Sequence, residues 1–345
     1  MIETRFQHGG GPPAILCSAK NDDYVGWTRF IDFGLALNCA DNPSEIAYNE
    51  QREKNTAAPE QFTHVRYDFY VRIYSAYTSH LPRMPAELTS LQNPLLKDVR
   101  RAIAKGGLTP DGCCVAETFH LLEEALRSEC SIPTVIASES VRATVERRIG
   151  RLRNIQLIRV PDSVYSEISA TESSQGVMAL VRPPKWELDG LLRGVPLVMI
   201  LDGVQDPGNA GSIVRAAEAF GASGVMFIKG SVNPYNPKAI RASAGSLFRV
   251  PIVSAIDPAL ALAALSQKKI DLYAAMPRAN ITVGEADLKR QCAFIIGSEG
   301  RGVSSGLQGA ALDIRIPTSE VESLNASVAA GILLYEAWRQ RTQAV

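Results

Sequence analysis

The 345-residue chain has no excess charge of either sign: 36 Lys and Arg stand against 36 Asp and Glu. No global field therefore draws it to nucleic acid, although a neutral total can still contain a local basic patch. Metal-binding spacing is absent too. The six cysteines form no Cys-x-x-Cys pair and the four histidines are scattered, so no zinc site is expected. The vicinal pair Cys113-Cys114 reads as a buried apolar pair, the common fate of free cysteine. No apolar run approaches the roughly 20 residues of a membrane helix. No charged-then-apolar start suggests a signal peptide, so a reducing cytoplasm is the expected compartment and no membrane is expected. Neither G-x-G-x-x-G nor a Walker loop follows a strand, which disfavours dinucleotide and nucleoside-triphosphate chemistry.

What is present is an ordinary globular composition, 46% hydrophobic and 21% charged, over a length that suits two domains. Residues 1–85 show no clean helical or strand period and read as an extension, expected to lack regular structure. Order begins at Leu88. Helical and strand patterns then alternate to Pro183-Pro184, which predicts a small three-layer α/β domain over 86–184. One short helix at Asp98 to Lys105 carries Val99 and Ile103 on one face and Arg100, Arg101 and Lys105 on another. Residues 185–194 read as a linker. From 195 to 345 near-continuous apolar strands alternate with helices, which predicts a parallel sheet buried on both faces. A last helix, Leu324 to Arg341, is expected to turn Leu324, Val328, Gly331, Ile332, Tyr335 and Trp338 inward.

Three runs in this second part carry the chemistry. Leu197 to Leu201 ends in a Pro207-Gly208-Asn209 turn, where Asn209 is a natural N-cap. The small residues Ala210, Gly211 and Ser212 would then leave helix N–H groups open to a ligand. Arg215 follows, as a solvated surface arginine or as a phosphate or carboxylate clamp. Ala293 to Ile296 ends in Gly297-Ser-Glu299-Gly-Arg-Gly302, a glycine loop around one carboxylate. Ile316-Pro317 ends a strand, and Ser323-Leu324-Asn325 opens a helix that Asn325 and Ser327 could simply cap. In an open α/β sheet such runs meet at the carboxyl edge, where ligands bind.

Asp206-Pro-Gly-Asn209 through Arg215, Gly297-Ser-Glu-Gly300 and Ser323-Leu-Asn325 resemble the three signature motifs of the SpoU/TrmH family of RNA ribose 2′-O-methyltransferases. Thr89 to Leu96, Leu121 to Leu126 and Gln175 to Leu180 are similar to that family's N-terminal substrate-binding domain. The likeness spans about 250 residues, Leu88 to Arg341, and leaves residues 1–85 without a counterpart. It implies a SPOUT-like α/β fold with a trefoil knot, S-adenosylmethionine as cofactor, an RNA substrate and a homodimer. It further implies Asn209, Arg215, Glu299 and Asn325 as the catalytic group. Gly297, Ile316 and Leu324 would hold the cofactor, with Ser323 and Ser327 supporting, while Arg241 and Ser243 would lie near the RNA. One departure stands out. Thr318-Ser-Glu-Val-Glu322 replaces the family's Met and Gly and is one residue shorter.

The basic stretch including Arg142, Arg148 and Arg151 is expected either to contact phosphates or to be a solvated helix face. The two-domain layout favours ribosomal RNA as substrate, with transfer RNA as the alternative. A catalytically silent RNA-binding assembly or resistance factor is the rival from another class.

Overall fold

The computed structural model describes residues 2–7, 14–21, 24–29, 86–149, 154–171 and 173–343. The chain divides into two compact units, Met1–Leu81 and Pro82–Val345. In the first, β1 (Ile2–Gln7), β2 (Ala14–Asn21) and β3 (Tyr24–Arg29) form an antiparallel meander, with Ile2 opposite Ala19 and Asn21 opposite Tyr24. The sequence offers no clear strand period there, so this sheet is unforeseen. The polar stretch 42–61 and the aromatic stretch 65–74 lie outside the described residues.

The second unit begins with β4 (Ala86–Glu87) and α1 (Pro94–Lys105). Asn93 caps α1 by accepting from the Leu95 N–H at 2.9 Å, Pro94 fills the first helical position, and Gly106 ends it at φ 62°. The helix starts four residues before the expected Asp98 because proline at that position loses no intrahelical bond. There follow β5 (Cys114–Glu117), α2 (Phe119–Arg127), β6 (Ser131–Ser138), α3 (Arg142–Ile149), β7 (Gln156–Val160), α4 (Asp162–Ile168) and β8 (Val177–Arg182). The strand order is β4-β7-β6-β8-β5, parallel as far as β6 and antiparallel at β8 and β5. Leu96, Val99, Val164 and Ile168 of α1 and α4 cover one face, while Leu121, Leu122, Val145 and Ile149 of α2 and α3 cover the other. Cys113 and Cys114 are buried free thiols, and burial pushes both pKa values up.

The 185–194 stretch contains a short helix, α5 (Leu188–Leu191), whose Leu191 is fully buried beside Val198 and Ile200. Beyond it lie β9 (Leu197–Asp202), α6 (Pro207–Ala219), β10 (Gly224–Ile228), α7 (Pro237–Ser243), β11 (Ile252–Ile256), α8 (Pro258–Gln267), β12 (Asp271–Ala275), β13 (Ile281–Thr282), β14 (Cys292–Gly297), α9 (Ser305–Gln308), β15 (Leu312–Arg315) and α10 (Ala326–Thr342). All seven strands run parallel in the order β11-β10-β9-β14-β12-β15-β13. Alternate residues of β9 serve opposite cores: Leu197, Met199 and Leu201 face α6 and α10, and Val198 and Ile200 face α8 and α9. Such two-sided burial is what the unbroken apolar runs require. β15, the last strand laid down, enters between β12 and β13, which residues 276–280 join. The chain then passes from the α9 side of the sheet to the α10 side. This is the arrangement expected of the trefoil-knotted methyltransferase fold, a rare exception to unthreaded topology.

The phase of α10 corrects the expected inner stripe. Ala326, Ala330, Leu333, Leu334 and Ala337 are buried, whereas Val328, Tyr335 and Trp338 remain 50%, 46% and 42% exposed. The alanines let α10 lie close against α6, and the bulky residues collect outside with Phe220. Near its end Arg341 donates to the carbonyls of Leu288 at 2.9 Å and of Val195 and Pro196 at 3.2 Å, and also to that of Arg290. It thereby ties the last helix to the first residues of the module. Arg341→Ala should lower stability by about 2–4 kcal/mol, since charge-assisted bonds to partly buried carbonyls are lost. Urea unfolding checks this; an unchanged midpoint would make the tie superficial.

Candidate active site

β9 and β14 end side by side, with Asp202 paired in register to Gly297, so the first and second runs leave the sheet at neighbouring points. Asp202 is buried at 8% exposure and its Oδ2 accepts the Ser304 N–H at 2.6 Å, closing the glycine loop back onto β9. Within that loop Ser298 and Gly302 exchange backbone hydrogen bonds of 3.1 and 2.8 Å. A side chain at Gly297 would meet the Gly302 carbonyl carbon at 2.0 Å, so only glycine allows so tight a return. No helix starts at Glu299, and its side chain is free to reach out of the turn.

Asn209 is not the N-cap of α6. Asp206 is, accepting the Asn209 N–H at 2.8 Å, with Pro207 at the first helical position. The Asp206 carboxyl is held below the usual carboxylate range, first by that backbone bond and then by Lys238 Nζ at 3.0 Å. Placing the cap three residues upstream frees the Asn209 amide for other work. Its Nδ2 donates to Glu299 Oε1, and its Oδ1 accepts from Asn325 Nδ2 at 3.0 Å. Asn325 also caps α10, its Oδ1 accepting from Ser327 N–H at 2.9 Å and Ser327 Oγ at 2.7 Å. Asn325 therefore caps α10 with one end of its amide and reaches Asn209 with the other. A single relay, Glu299–Asn209–Asn325, joins all three runs.

Ala210 and Gly211 do something other than expected. They are buried, and a Cβ on Gly211 would sit 2.2 Å from the Ala239 carbonyl oxygen. Their small size serves the close approach of α6 and α7, not an open ligand face. Arg215 is exposed on α6 and has no ion-pair or hydrogen-bond partner among the described residues. It makes no hydrogen bond to the relay. Glu218, three residues on, would be a natural helical partner, but it is taken by Arg249. Ile316 and Leu324 are half-buried on the third loop and Ser323 is exposed. The departing segment folds on itself, Thr318 Oγ1 donating to the Val321 carbonyl at 3.0 Å.

Two of the expected RNA residues turn away from solvent. Ser243 is fully buried and its hydroxyl donates to the Ile240 carbonyl at 2.8 Å, which corrects its assignment. Arg241 points to the buried Glu117 carboxylate, 3.8 Å away, across to the first module. The reason is that α7 is an interior helix, packed against β5 as well as α6. On α3, Arg142 pairs with Glu146 at 2.8 Å and Glu139 at 3.4 Å. Arg148 pairs with Glu123 at 2.9 Å and lies over the Phe119 ring at 4.4 Å. Arg151 lies outside the described residues.

The sequence gives no hint of the contact between the modules. Arg249 Nη1 donates to Glu124 at 2.7 Å and Ser128 at 3.1 Å in the first module, and its other nitrogens hold Glu218 on α6. Gly245 backs directly onto Glu124, where a Cβ would approach to 2.6 Å. One apolar core runs continuously through both modules. The Arg249 guanidinium holds the Glu218 carboxyl below its ordinary value. Its stabilising share is therefore complete above the unfolded glutamate value of about 4.3 and disappears as pH falls through the lower folded value. Small-angle scattering should show the modules of R249Q loosened at neutrality relative to wild type, because the bond to Glu124 across the modules is lost. A variant profile identical to that of wild type would refute the clamp.

An all-parallel sheet whose carboxyl edge gathers three loops into one amide–carboxylate relay, with its last strand inserted between earlier ones, defines a knotted methyltransferase domain. Comparison with known proteins agrees. Residues 196–335 match the SpoU rRNA Methylase family, and residues 93–179 match the MRM3-like substrate binding domain. An uncharacterized tRNA/rRNA methyltransferase of Synechocystis is 32% identical over 74% of this chain and 94% of its own length. The 23S rRNA (guanosine(2553)-2′-O)-methyltransferase RlmP of Bacillus subtilis is 29% identical over 72% of this chain and 98% of its own. The SpoU methyltransferase AviRb of Streptomyces viridochromogenes, crystallised with S-adenosylmethionine, superposes with a TM-score of 0.66 at 25% identity, over 73% of this chain and 99% of its own. The chain belongs to the SpoU rRNA methylase family.

Proposed function

We propose that this protein transfers a methyl group from S-adenosylmethionine to a ribose 2′-hydroxyl of structured RNA, with ribosomal RNA as the substrate. The observation that carries this reading is the relay from Glu299 through Asn209 to Asn325. The tight Gly297–Gly302 return and the half-buried Ile316 and Leu324 offer backbone groups on two loops that meet at that relay, which suits a cofactor held by main chain. Ser323 and Ser327 flank the third loop. When bound there, S-adenosylmethionine supplies an electrophilic methyl on a sulfonium leaving group.

The chain's own task is the nucleophile, since a 2′-hydroxyl is a weak acid that must lose its proton near the transition state. Asn209 uses one N–H and one lone pair within the relay, leaving a second of each for the ribose. Glu299 is an acceptor with a second oxygen, placed to receive the departing proton. Arg215 offers a planar guanidinium fork that would orient the ribose–phosphate and stabilise the developing alkoxide. Alignment and preorganised charge supply most of the rate.

The working form in this reading is a cytoplasmic homodimer. Phe220, Tyr335 and Trp338 form an outward aromatic cluster, with ring centroids 5.7 to 6.4 Å apart, continuous with exposed Val328. Covering such a patch favours association. Trp338→Glu should convert a dimer to a monomer in sedimentation equilibrium; a monomeric wild type would discard this part.

The deciding experiment incubates full-length protein with tritiated S-adenosylmethionine and separate pools of unmodified ribosomal and transfer RNA, then digests the RNA with alkali. Tritium in alkali-resistant dinucleotides from ribosomal RNA is the expected result. Label in transfer RNA alone would move the substrate, label on bases would reject ribose chemistry, and no incorporation with RNA still bound would favour a silent binding factor.

A further inference from the structure

We propose that the solvent face of α1 is the track that carries the RNA backbone to the Asn209 relay. The proposal rests on the reading above that the substrate is RNA, and it concerns which surface holds it.

Lys97, Arg100, Arg101 and Lys105 occupy one contiguous arc of α1, opposite buried Leu96, Val99 and Ala102. Lys97, Arg100 and Lys105 are exposed and have no acidic partner among the described residues. Arg101 has only Asp98, 2.8 Å away within the same helix and largely in water, a weak attachment. α3 differs in this respect. Its Arg142 and Arg148 face three glutamates and an aromatic ring, so the more arginine-rich stretch of sequence is the more neutralised surface. Free cations, not their number, are what phosphates can pair with.

Placement gives α1 its role. Its C-terminal glycines press against the loop before α7: a Cβ on Gly106 would meet Asn236 Nδ2 at 2.3 Å, and one on Gly107 would meet Asn233 Nδ2 at 3.2 Å. Asn236 caps α7 by accepting the Lys238 N–H at 2.9 Å, and the Lys238 ammonium holds Asp206, the cap of the helix bearing Asn209. From Lys105 the path to the relay therefore runs through direct contacts. The Arg249 clamp and the shared core hold the two modules at a fixed relation, so the track and the relay keep one register. From Lys97 to Lys105 the helix rises about 12 Å, room for a short run of consecutive phosphates. Such contacts fix position on the backbone and carry no sequence information.

The test uses the full chain and three variants: K97A/R100A/K105A, the charge-retaining K97R/R100K/K105R, and R142A/R148A. RNA affinity is read by filter binding on ribosomal RNA fragments over a range of salt, with cofactor affinity by calorimetry and thermal melting as the check of folding. Loss of three phosphate contacts should reduce the magnitude of the salt slope by about 2 and weaken binding roughly 10- to 100-fold near physiological salt. Cofactor affinity and melting should stay at wild-type values, and the charge-retaining variant should bind like wild type. A triple-alanine variant that binds RNA with unchanged affinity and slope overturns the track while leaving the substrate reading intact. A larger loss in R142A/R148A than in the triple variant overturns it in favour of α3. A wild-type chain that binds no RNA overturns it together with that reading.

Discussion

Arg215→Ala is expected to cut methyl transfer by roughly 100- to 1000-fold, the range seen when a preorganised donor to a developing oxyanion is removed. S-adenosylmethionine affinity should stay within a few-fold of wild type. The argument rests on what Arg215 lacks. It is exposed, Glu218 is engaged by Arg249, and the relay closes without it. An arginine with no structural partner can be deleted without disturbing the fold, so a large kinetic loss would report on chemistry. Arg215→Lys should rescue little, because an ammonium cannot reproduce the planar fork. Single-turnover methylation and equilibrium cofactor binding on the same preparations decide the matter. Near-normal turnover would leave Arg215 a solvated surface residue, and equal collapse of turnover and binding would make it a cofactor residue.

The same helix shows where sequence reasoning reaches and where it stops. The seven parallel strands follow from short apolar runs separated by turns, and the convergence of Asn209, Glu299 and Asn325 follows from the rule that such runs end at one sheet edge. The cap of α6 was legible in principle, since Asp206 and Asn209 are both good cap residues. Only proline at 207 tips the choice to Asp206, because proline favours the first helical position. The phase of α10 was not legible. The helix is apolar on nearly every side, so a stripe through Val328, Tyr335 and Trp338 scans as well as the buried one through Ala330, Leu333 and Ala337. Tertiary fit against α6 selects the alanines.

Long-range partners were likewise invisible. Nothing local in Arg249 distinguishes it from any surface arginine, yet it binds acceptors 31 and 125 residues away in sequence. The same holds for Arg241 and Glu117, and for Ser243, whose burial follows from α7 being packed on both sides. Arg142 pairs with Glu139 and Glu146, both within a helical turn of it, whereas Arg148 finds Glu123 only once α2 and α3 are folded against each other. The insertion of β15 between β12 and β13 has no sequence correlate in local pattern at all; it enters only through family resemblance.

Asn209→Ala should fail differently from Arg215→Ala. Asn209 is the sole side chain of the relay that touches both other members, so its loss unties the glycine loop from the third loop. Turnover should fall roughly 100-fold or more from lost alignment. Cofactor affinity should fall with it, because the loops bearing Gly297, Ile316 and Leu324 lose their common anchor. Folding should be nearly unaffected, since α6 is capped by Asp206 and Asn209 contributes only its backbone N–H there, which alanine retains. Asn209→Asp should rescue neither quantity: it restores the shape but sets a carboxylate against Glu299 and removes the donor. Calorimetry, single-turnover transfer and a thermal melt on each variant separate these outcomes. An alanine variant that binds cofactor like wild type while losing turnover would show that the loops are held by their own backbones, leaving Asn209 to act on the ribose alone. Wild-type turnover would remove the relay from the mechanism.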